Sequence, residues 1–203
     1  LTLPFRTADE FGEILADLRK NAVLVGLGSG VNRTNQNIVL AAAKTGKPPV
    51  IDADALTAFR EAPNELFDAL GGPAAVLTPH EGEFSRLFKM TGDKLTRAIK
   101  ASQMAGVVVL LKGADTVIAA PDGRAVINFN APPSLATAGS GDVLAGTILG
   151  LMAQGMPPFE AACAAAWLSG DVATAFGSGL LAEDICQGIP GSLARLEAMA
   201  CQN

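Results

Sequence analysis

Four continuous apolar segments, two of them followed directly by a stretch with helical spacing, constrain the fold of this chain more than any other feature. They are AVLVGLG at 22–28, PPVIDAD at 48–54, AAVLTP at 74–79 and VVVLLKG at 107–113. An unbroken apolar run bounded by turn residues is typical of a strand buried on both faces. Strands that alternate with helices form parallel sheets covered on both sides. We therefore predict a three-layer αβα sandwich with a mostly parallel central sheet.

The segments between and after these runs complete the predicted topology. Helical patterns cover residues 34–45, 81–89, 93–105, 141–154, 158–176 and 182–200. Residues 116–128 carry the pattern of a β-hairpin that turns at Pro121, Asp122 and Gly123. The sequence shows no repeat and no linker, so we predict a single domain over residues 1–203.

Composition and charge argue against two classes of partner. The net charge is −5, aromatic residues make up 5% of the chain, and there is no basic run. Nucleic-acid binding needs a basic surface and often aromatic platforms, so we expect no nucleic-acid partner. The most apolar stretch, 143–153, is about three helical turns long and too short to span a bilayer, so we expect no membrane partner.

The cysteines and the single histidine bear on the compartment and on the kind of metal site. Cys163, Cys186 and Cys201 lack CxxC spacing, so we expect free thiols in a reducing, cytoplasmic compartment. Residues 1–20 lack the basic and apolar regions of a signal peptide, and we expect none. His80 is the only histidine of the sequence, which excludes a metal site built from several histidines.

The predicted strands end in polar or flexible residues, which we expect at one edge of the sheet, where ligands of such folds bind. These residues are the turn 26–30, Asp52, Asp54, His80 and Lys112. The carboxylates of Asp52 and Asp54 suit Mg²⁺, a hard cation that takes oxygen ligands. Either residue equally fits a helix cap, a role that we favour for Asp54.

The stretch GSGD at 139–142 precedes the apolar helix predicted from residue 141. Gly139, Ser140 and Gly141 would present backbone N–H groups at the positive end of that helix, an arrangement that binds anions. Asp142 would then accept a proton from a hydroxyl that attacks a phosphoryl group. The same residues also fit a glycine-rich turn with Asp142 as an ordinary helix cap.

The other motifs also leave alternatives open. The turn 26–30 fits either a close approach to a ligand or a structural turn, and Val31 breaks the dinucleotide-binding fingerprint GxGxxG. His80 is either a ligand contact or a satisfied polar residue. Lys112 ends a buried strand, and burying an unpaired lysine is costly, so its ammonium should reach an acid, a phosphate or solvent.

The order of the motifs is more specific than any one of them, and it resembles the ADP/ATP-dependent NAD(P)H-hydrate dehydratases of the ribokinase-like superfamily. The motifs are GLGSG at 26–30, DADAL at 52–56, TPHEGE at 78–83, LKGADT at 111–116 and GSGDVLAG at 139–146. The family usually has GPGLG, TPHPGE and GTGD, so Glu81 replaces a proline and Ser140 a threonine. None of these differences removes a functional group.

The resemblance implies a repair reaction. The hydroxyl of hydrated NADH or NADPH, NAD(P)HX, is phosphorylated at the expense of ADP or ATP, and elimination of phosphate restores the cofactor. Asp142 is implied as the catalytic base in contact with NAD(P)HX, which Gly28, Gly30 and His80 also contact. Mg²⁺ is expected, with Asp52 as a candidate ligand. The implied nucleotide-binding residues are Lys112, Gly113, Ala114, Asp115, Thr116, Gly139, Ser140 and Gly141.

The resemblance also implies partners. Family members begin with a further glycine-rich strand–helix portion, so we expect this domain to be N-terminally incomplete relative to them. Many are fused to an NAD(P)HX epimerase, so we expect fusion to, or joint action with, such an epimerase, and we expect a homo-oligomer. Two alternatives stay open: a ribokinase-like alcohol kinase for a vitamin precursor or sugar, and a shortened nucleotide-binding domain without activity.

Overall fold

A six-stranded sheet organises the part of the chain that the computed structural model describes, residues 2–72 and 74–200. The strands lie in chain order: β1 Val23–Val25, β2 Pro49–Ile51, β3 Val76–Leu77, β4 Val108–Leu111, β5 Thr116–Ala119 and β6 Ala125–Asn128. Strands β1 to β4 are parallel, whereas β5 and β6 are antiparallel to their neighbours. The carboxyl ends of β1 to β4 therefore meet at one edge of the sheet.

Helices cover both faces of this sheet. Their bounds are α1 Ala8–Leu15, α2 Arg33–Lys44, α3 Ala53–Ala58, α4 Pro63–Leu70, α5 Glu81–Phe88, α6 Lys94–Ala105, α7 Ser140–Ala153, α8 Pro158–Phe176 and α9 Ala182–Ala200, with a 3₁₀ turn at Pro133–Leu135. None of these helices, within the described residues, is long and apolar enough to cross a membrane.

The core consists of two hydrophobic clusters that the sheet separates. Consecutive strand residues point to opposite faces, so Ile51 and Leu77 pack with α1 to α6, whereas their neighbours Val50 and Val76 pack with α7 and α8. A third, smaller cluster joins α8 to α9 and includes Ile185. The alternation explains why β1 to β4 are apolar at every position, since both faces of these strands are covered.

The predicted αβα sandwich with a mostly parallel sheet is confirmed, and so is the hairpin. Its turn closes through the N–H of Gly123, which donates to the carbonyl of Ala120 at 3.0 Å, and the N–H of Ala120, which donates to the carbonyl of Arg124 at 2.9 Å. The parallel strands are shorter than predicted, and α1, α3 and α4 form where no helix was predicted. The single domain over residues 1–203 stays a prediction.

Two of the three cysteines lie in the described part of the chain, and both are free thiols. Cys163 is a partly buried residue of α8, and burial raises the pKa of its thiol to about 11. Cys186 is exposed on α9. Cys201 lies outside the described residues. The thiols that the structure describes are therefore in the reduced form that the sequence predicts.

Candidate active site

Backbone hydrogen bonds join the ends of the four parallel strands step by step. The N–H of Asp52 donates to the carbonyl of Val25 at 3.1 Å, and that of Thr78 donates to Ile51 at 3.1 Å. The N–H of Lys112 donates to the carbonyl of Pro79 at 2.9 Å. These bonds place the segments that follow β1, β2, β3 and β4 side by side at one edge.

Asp52 lies at the centre of this edge and is 1% exposed. Its Oδ1 accepts from the N–H of Ala53 at 2.7 Å, which caps α3, and from Nζ of Lys112 at 2.8 Å. The lysine thus neutralises a carboxylate that would otherwise be costly to bury. The sequence predicted that the Lys112 ammonium would reach an acid, a phosphate or solvent, and in the structure it pairs with an acid, Asp52.

The cap role predicted for Asp54 is wrong, because Asp52 already occupies the N-cap position and Asp54 lies inside the first turn of α3. The Oδ2 of Asp54 instead accepts from the N–H of Gly30 at 2.8 Å. Asn35, which is buried in α2, donates from Nδ2 to the carbonyl of Gly30 at 2.7 Å. The two side chains fix the end of the glycine turn from opposite sides.

Gly26 and Gly28 in the turn after β1 both have a positive φ, which favours glycine, and packing is a second requirement at Gly26 alone. Gly26 has φ +124° and lies against α3, so that a Cβ there would approach the carbonyl oxygen of Asp52 to 1.8 Å. Gly28 has φ +59° and is exposed, and a Cβ added there would meet nothing within 4 Å. Gly26 is therefore required by packing, whereas Gly28 faces open space at the sheet edge.

His80 begins α5 as a helix cap. Its Nδ1 accepts from the N–H of Gly82 at 2.9 Å and from that of Glu83 at 3.3 Å, while Glu83 Oε2 accepts from the N–H of His80 at 2.9 Å. This reciprocal arrangement is a capping box, built here with histidine in place of serine or threonine. In the neutral ring the proton therefore lies on Nε2, and the side chain is 55% exposed. Contact with NAD(P)HX stays a prediction for this residue.

The loop between β4 and β5 is held by its own side chains. The hydroxyl of Thr116 donates to the carbonyl of Gly113 at 2.8 Å and accepts from its N–H at 3.3 Å. Asp115 pairs with Lys94 of α6 at 2.9 Å, and this hydrogen bond lowers the pKa of the Asp115 carboxyl. Lys94 packs so closely over Gly113 that a Cβ there would approach its Nζ to 2.3 Å.

The first turn of α7 faces that loop. Gly139 caps the helix with φ +85°, and a Cβ there would approach Ala182 to 3.1 Å. A Cβ on Gly141 would come within 3.5 Å of Lys112 Nζ, so the ammonium lies directly beside the helix start. Because the first turn of a helix leaves backbone N–H groups without helical partners, positive charge and N–H donors converge here.

A cavity of about 390 Å³ lies between the loop and the helix. It brings together Lys112, Gly113, Ala114, Thr116, Ser140 and Gly141. Asp142, the next residue, is exposed and lines a second groove of about 570 Å³ between α7 and α9. The lining of the first cavity does not include Gly28, Gly30, His80, Asp115 or Gly139 among the described residues.

The structure adds two groups that sequence reasoning missed. The first is the segment 131–136, of which every residue except Ser134 lines the cavity. The second is the basic first turn of α6: Lys94 holds Asp115, and Arg97 donates to both carboxylate oxygens of Glu81 at 2.9 Å. Pro132 and Pro133 mark the first group in the sequence. No short-range pattern pairs the start of α6 with the start of α5, 16 residues away, or with the β4–β5 loop, 21 residues away.

The described residues at the sheet edge offer few side-chain ligands for a magnesium ion. The described residues include no group of three or more His, Cys, Asp or Glu side chains that could hold a metal ion. Mg²⁺ keeps several waters, however, and often binds one or two carboxylates together with substrate phosphates. Oδ2 of Asp52 is a buried carboxylate oxygen without a hydrogen-bond partner among the described residues, and it fits the protein part of such a site.

Comparison with known proteins is consistent with this geometry. The family model described as NAD(P)H-hydrate dehydratase matches residues 2–187. The ADP-dependent (S)-NAD(P)H-hydrate dehydratase of Neisseria meningitidis is 40% identical over 91% of this chain and 69% of its own length. The bifunctional NAD(P)H-hydrate repair enzyme Nnr of Salinibacter ruber is 39% identical over 93% of this chain, which spans only 38% of that enzyme.

Solved structures show the same relationship. An ADP/ATP-dependent NAD(P)H-hydrate dehydratase from Bacillus subtilis, co-crystallised with ATP and Mg²⁺ and soaked with CoA, superposes with a TM-score of 0.74 at 27% identity, over 86% of this chain and 66% of that one. A ribokinase-like superfamily protein from Enterococcus faecalis reaches a TM-score of 0.80 at 25% identity, over 93% and 68%. The family model, the sequence relatives and the fold agree, and the chain belongs to the NAD(P)H-hydrate dehydratase family.

Proposed function

We propose that this chain catalyses the dehydration of hydrated NADH or NADPH with ADP or ATP as phosphoryl donor. The observation that carries the proposal is the cavity in which Lys112 and the β4–β5 loop face Ser140 and Gly141 at the start of α7. A lysine ammonium and free helix N–H groups favour a nucleotide phosphate at this end of the cavity. The printed names of the Neisseria and Bacillus relatives support the same donor and substrate.

Asp142 acts as the general base in this proposal. The O–H of the hydrated ring loses its proton to the Asp142 carboxylate as its oxygen bonds to the terminal phosphorus and the bond from that phosphorus to the departing nucleotide, AMP from ADP or ADP from ATP, breaks. The exposed position of Asp142 on the groove beside the cavity leaves it accessible to a second molecule. Phosphate is a far better leaving group than hydroxide. Its C–O bond then breaks, the neighbouring ring carbon loses a proton to solvent, and the C=C bond that forms restores the dihydronicotinamide ring.

The neighbouring residues stabilise negative charge and position the reactants. Gly141 offers its N–H group at the positive end of α7, whereas the N–H of Ser140 donates to the carbonyl of Thr137 at 3.3 Å, and Lys112 supplies a full positive charge beside the helix start. Gly28, Gly30 and His80, at the ends of β1 and β3, are the proposed contacts of NAD(P)HX. A bound Mg²⁺, with Asp52 as its proposed protein ligand, would supply further charge neutralisation at the phosphates.

The test is incubation of the chain with hydrated NADH and either ADP or ATP, following the return of the absorbance of reduced nicotinamide. Release of inorganic phosphate in equal amount is the expected result. A stable phosphorylated product would instead establish an alcohol kinase. Stabilisation by ADP in a thermal-shift assay without turnover would establish a nucleotide-binding domain without activity.

The proposal also covers the partner, the compartment and the oligomeric state of the chain. The Salinibacter relative is named as a bifunctional repair enzyme, which supports an epimerase as a fused or separate partner. The free thiols of Cys163 and Cys186 support a reducing, cytoplasmic compartment. The homo-oligomer stays a prediction, which light scattering of the purified chain tests.

A further inference from the structure

The lining of the cavity between the β4–β5 loop and α7 includes two chemically different groups of residues. Lys112 and Gly141 offer a positive charge and a helix N–H for phosphate. The second group, called the wall below, consists of Ala131, Pro132, Pro133, Leu135, Ala136, Leu144 and Ser169. If phosphates bind at Lys112 and the start of α7, the base of the nucleotide is left to contact the wall, which then determines which bases the site accepts.

The backbone of that wall offers few hydrogen-bond donors. Pro132 and Pro133 have no N–H group. The N–H of Leu135 donates to the carbonyl of Pro132 at 3.0 Å, and the N–H of Ala136 donates to that of Pro133 at 3.1 Å. Four of these described positions therefore present no free N–H to a ligand. Adenine N1 accepts a hydrogen bond, whereas guanine N1 carries a hydrogen and donates one. Because these four positions offer no free N–H group, they cannot favour adenine by donating to its N1.

The side chains of the wall also offer few hydrogen-bonding groups that could distinguish one base from another. Among the described residues of the wall, Ser169 alone carries a polar side-chain atom. Its hydroxyl already donates to the carbonyl of Ala165, one helical turn earlier, at 2.9 Å. Ser169 is 5% exposed, so that only a lone pair of its oxygen is left for a ligand.

We infer that the site accepts purine nucleotides by shape and apolar contact, with little discrimination between adenine and guanine or hypoxanthine. The inference rests on the proposed function, since it takes the cavity as the nucleotide site. A site built to hydrogen-bond a polar group rejects an analogue that lacks it by about 10⁴-fold or more, whereas an apolar pocket separates isosteres by only about 10- to 200-fold. ADP, GDP and IDP should therefore bind with similar affinity.

The experiment is calorimetric titration of the chain with ADP, GDP and IDP under one buffer and salt condition. We expect the Kd of GDP and of IDP to lie within about tenfold of that of ADP, in the range of an apolar pocket. GDP that binds more than about a thousandfold more weakly than ADP, outside the range of an apolar pocket, would overturn the inference and leave the proposed function intact. Absence of ADP binding would overturn both, because the cavity would not be a nucleotide site.

Ser169→Ala tests the one side chain that has an acceptor to offer adenine. Its hydroxyl bonds within α8, so the variant should fold, and the ratio of the two Kd values, GDP to ADP, should stay within about threefold of wild type. If the ratio of the Kd of GDP to that of ADP fell about tenfold, Ser169 would recognise the adenine amino group, and the inference would be overturned. Ser102→Ala is the matched control, because that buried hydroxyl makes the same kind of bond, to the carbonyl of Val107, away from the cavity.

Discussion

Lys112 and Asp52, which end two different strands, form an ion pair of 2.8 Å in which the carboxylate is 1% exposed and the lysine 19%. The acid also caps α3, and the ammonium lies beside the start of α7. The pair thus connects the fold of the sheet edge with the charge of the proposed phosphate site. Its two members should respond differently to substitution.

Lys112→Met should destabilise the chain and remove nucleotide affinity, because it leaves a buried carboxylate without its counter-charge. Breaking a buried pair from one side costs about 3–5 kcal/mol. Asp52→Asn keeps an oxygen for the cap of α3 and should cost less. The free energy of unfolding of both variants and of the double variant, measured in urea, forms a complete double-mutant cycle.

The double variant should be more stable than Lys112→Met alone, because no unpaired charge is then buried. Additive losses would mean that the two residues act independently. ADP titrations of the same proteins separate charge from folding: Asp52→Asn should retain ADP binding, whereas both variants that lack the lysine should lose it.

Asp142→Asn should fold normally and still bind ADP, yet lose turnover of hydrated NADH by about a hundred- to ten-thousand-fold, since the amide cannot accept the proton. The residue is exposed in the first turn of α7, so the change is mild for the fold. Initial rates from the return of nicotinamide absorbance provide the measurement. Asp68→Asn, at an exposed carboxylate of α4 on the other side of the sheet, is the matched control.

Gly139 occupies the N-cap position of α7, so the structure contradicts the cap role that the sequence left open for Asp142. If Asp142→Asn retained more than about a tenth of the wild-type rate, well above the expected loss, the residue would not be the base and would only add favourable charge to the first turn of α7. A variant that failed to fold would also support a structural role. The thermal shift produced by ADP, compared between the two proteins, distinguishes loss of chemistry from loss of the site.

Gly26→Ala and Gly28→Ala form a matched pair with positive φ and different surroundings. At Gly28 a methyl group meets nothing within 4 Å, so the cost should be only that of a left-handed backbone, about 1–2 kcal/mol. At Gly26 the methyl group would lie 1.8 Å from a backbone oxygen, and the turn or α3 must shift. Chemical denaturation should show the larger loss for Gly26→Ala, and equal losses would contradict the packing.

Glu81→Gln should make stability less dependent on acid pH. The hydrogen bonds from Arg97 lower the pKa of the Glu81 carboxyl in the folded chain, so the ion pair stabilises above the ordinary pKa of about 4.5 and is lost as pH falls through the lowered value. Because Glu81 is half exposed, we expect about 1 kcal/mol or less at pH 7.

Urea midpoints measured at pH 7 and at successively more acidic pH test this sign. The gap between wild type and Glu81→Gln should be present at neutral pH and close in acid. A gap that opened in acid would contradict the assigned direction. Glu13→Gln, at an exposed position of α1, controls for the loss of one negative charge.

The apolar runs located the four parallel strands because burial on both faces leaves a continuous apolar run, which strand length and flanking turn residues distinguish from a buried helix. They overestimated strand length, since Gly26 and Asp52 look like strand ends in the sequence yet already belong to the turn and to the cap of α3. Short helices such as α3 give too few turns for a clear periodicity.

Within the candidate site, the sequence located the segments but not their contacts. Asp52 and Asp54 are both followed by alanine, and only the three-dimensional position of the glycine turn determines which one caps and which one holds Gly30. The pairing of Lys94 with Asp115 joins residues 21 apart on different elements, and no local pattern encodes it. The proline-rich wall 131–136 was visible only as an interruption between elements.

The β4–β5 connection has a consequence for how this site can change over generations. Leu111 pairs with Val117 immediately outside the loop, and Val117 and Ala119 face one cluster while Ile118 faces the other. A single inserted residue that slipped β5 would exchange these two faces along the whole strand. A substitution at an exposed position of the loop, such as Ala114, leaves the register of β5 unchanged, whereas an altered loop length is inherited together with a damaged core.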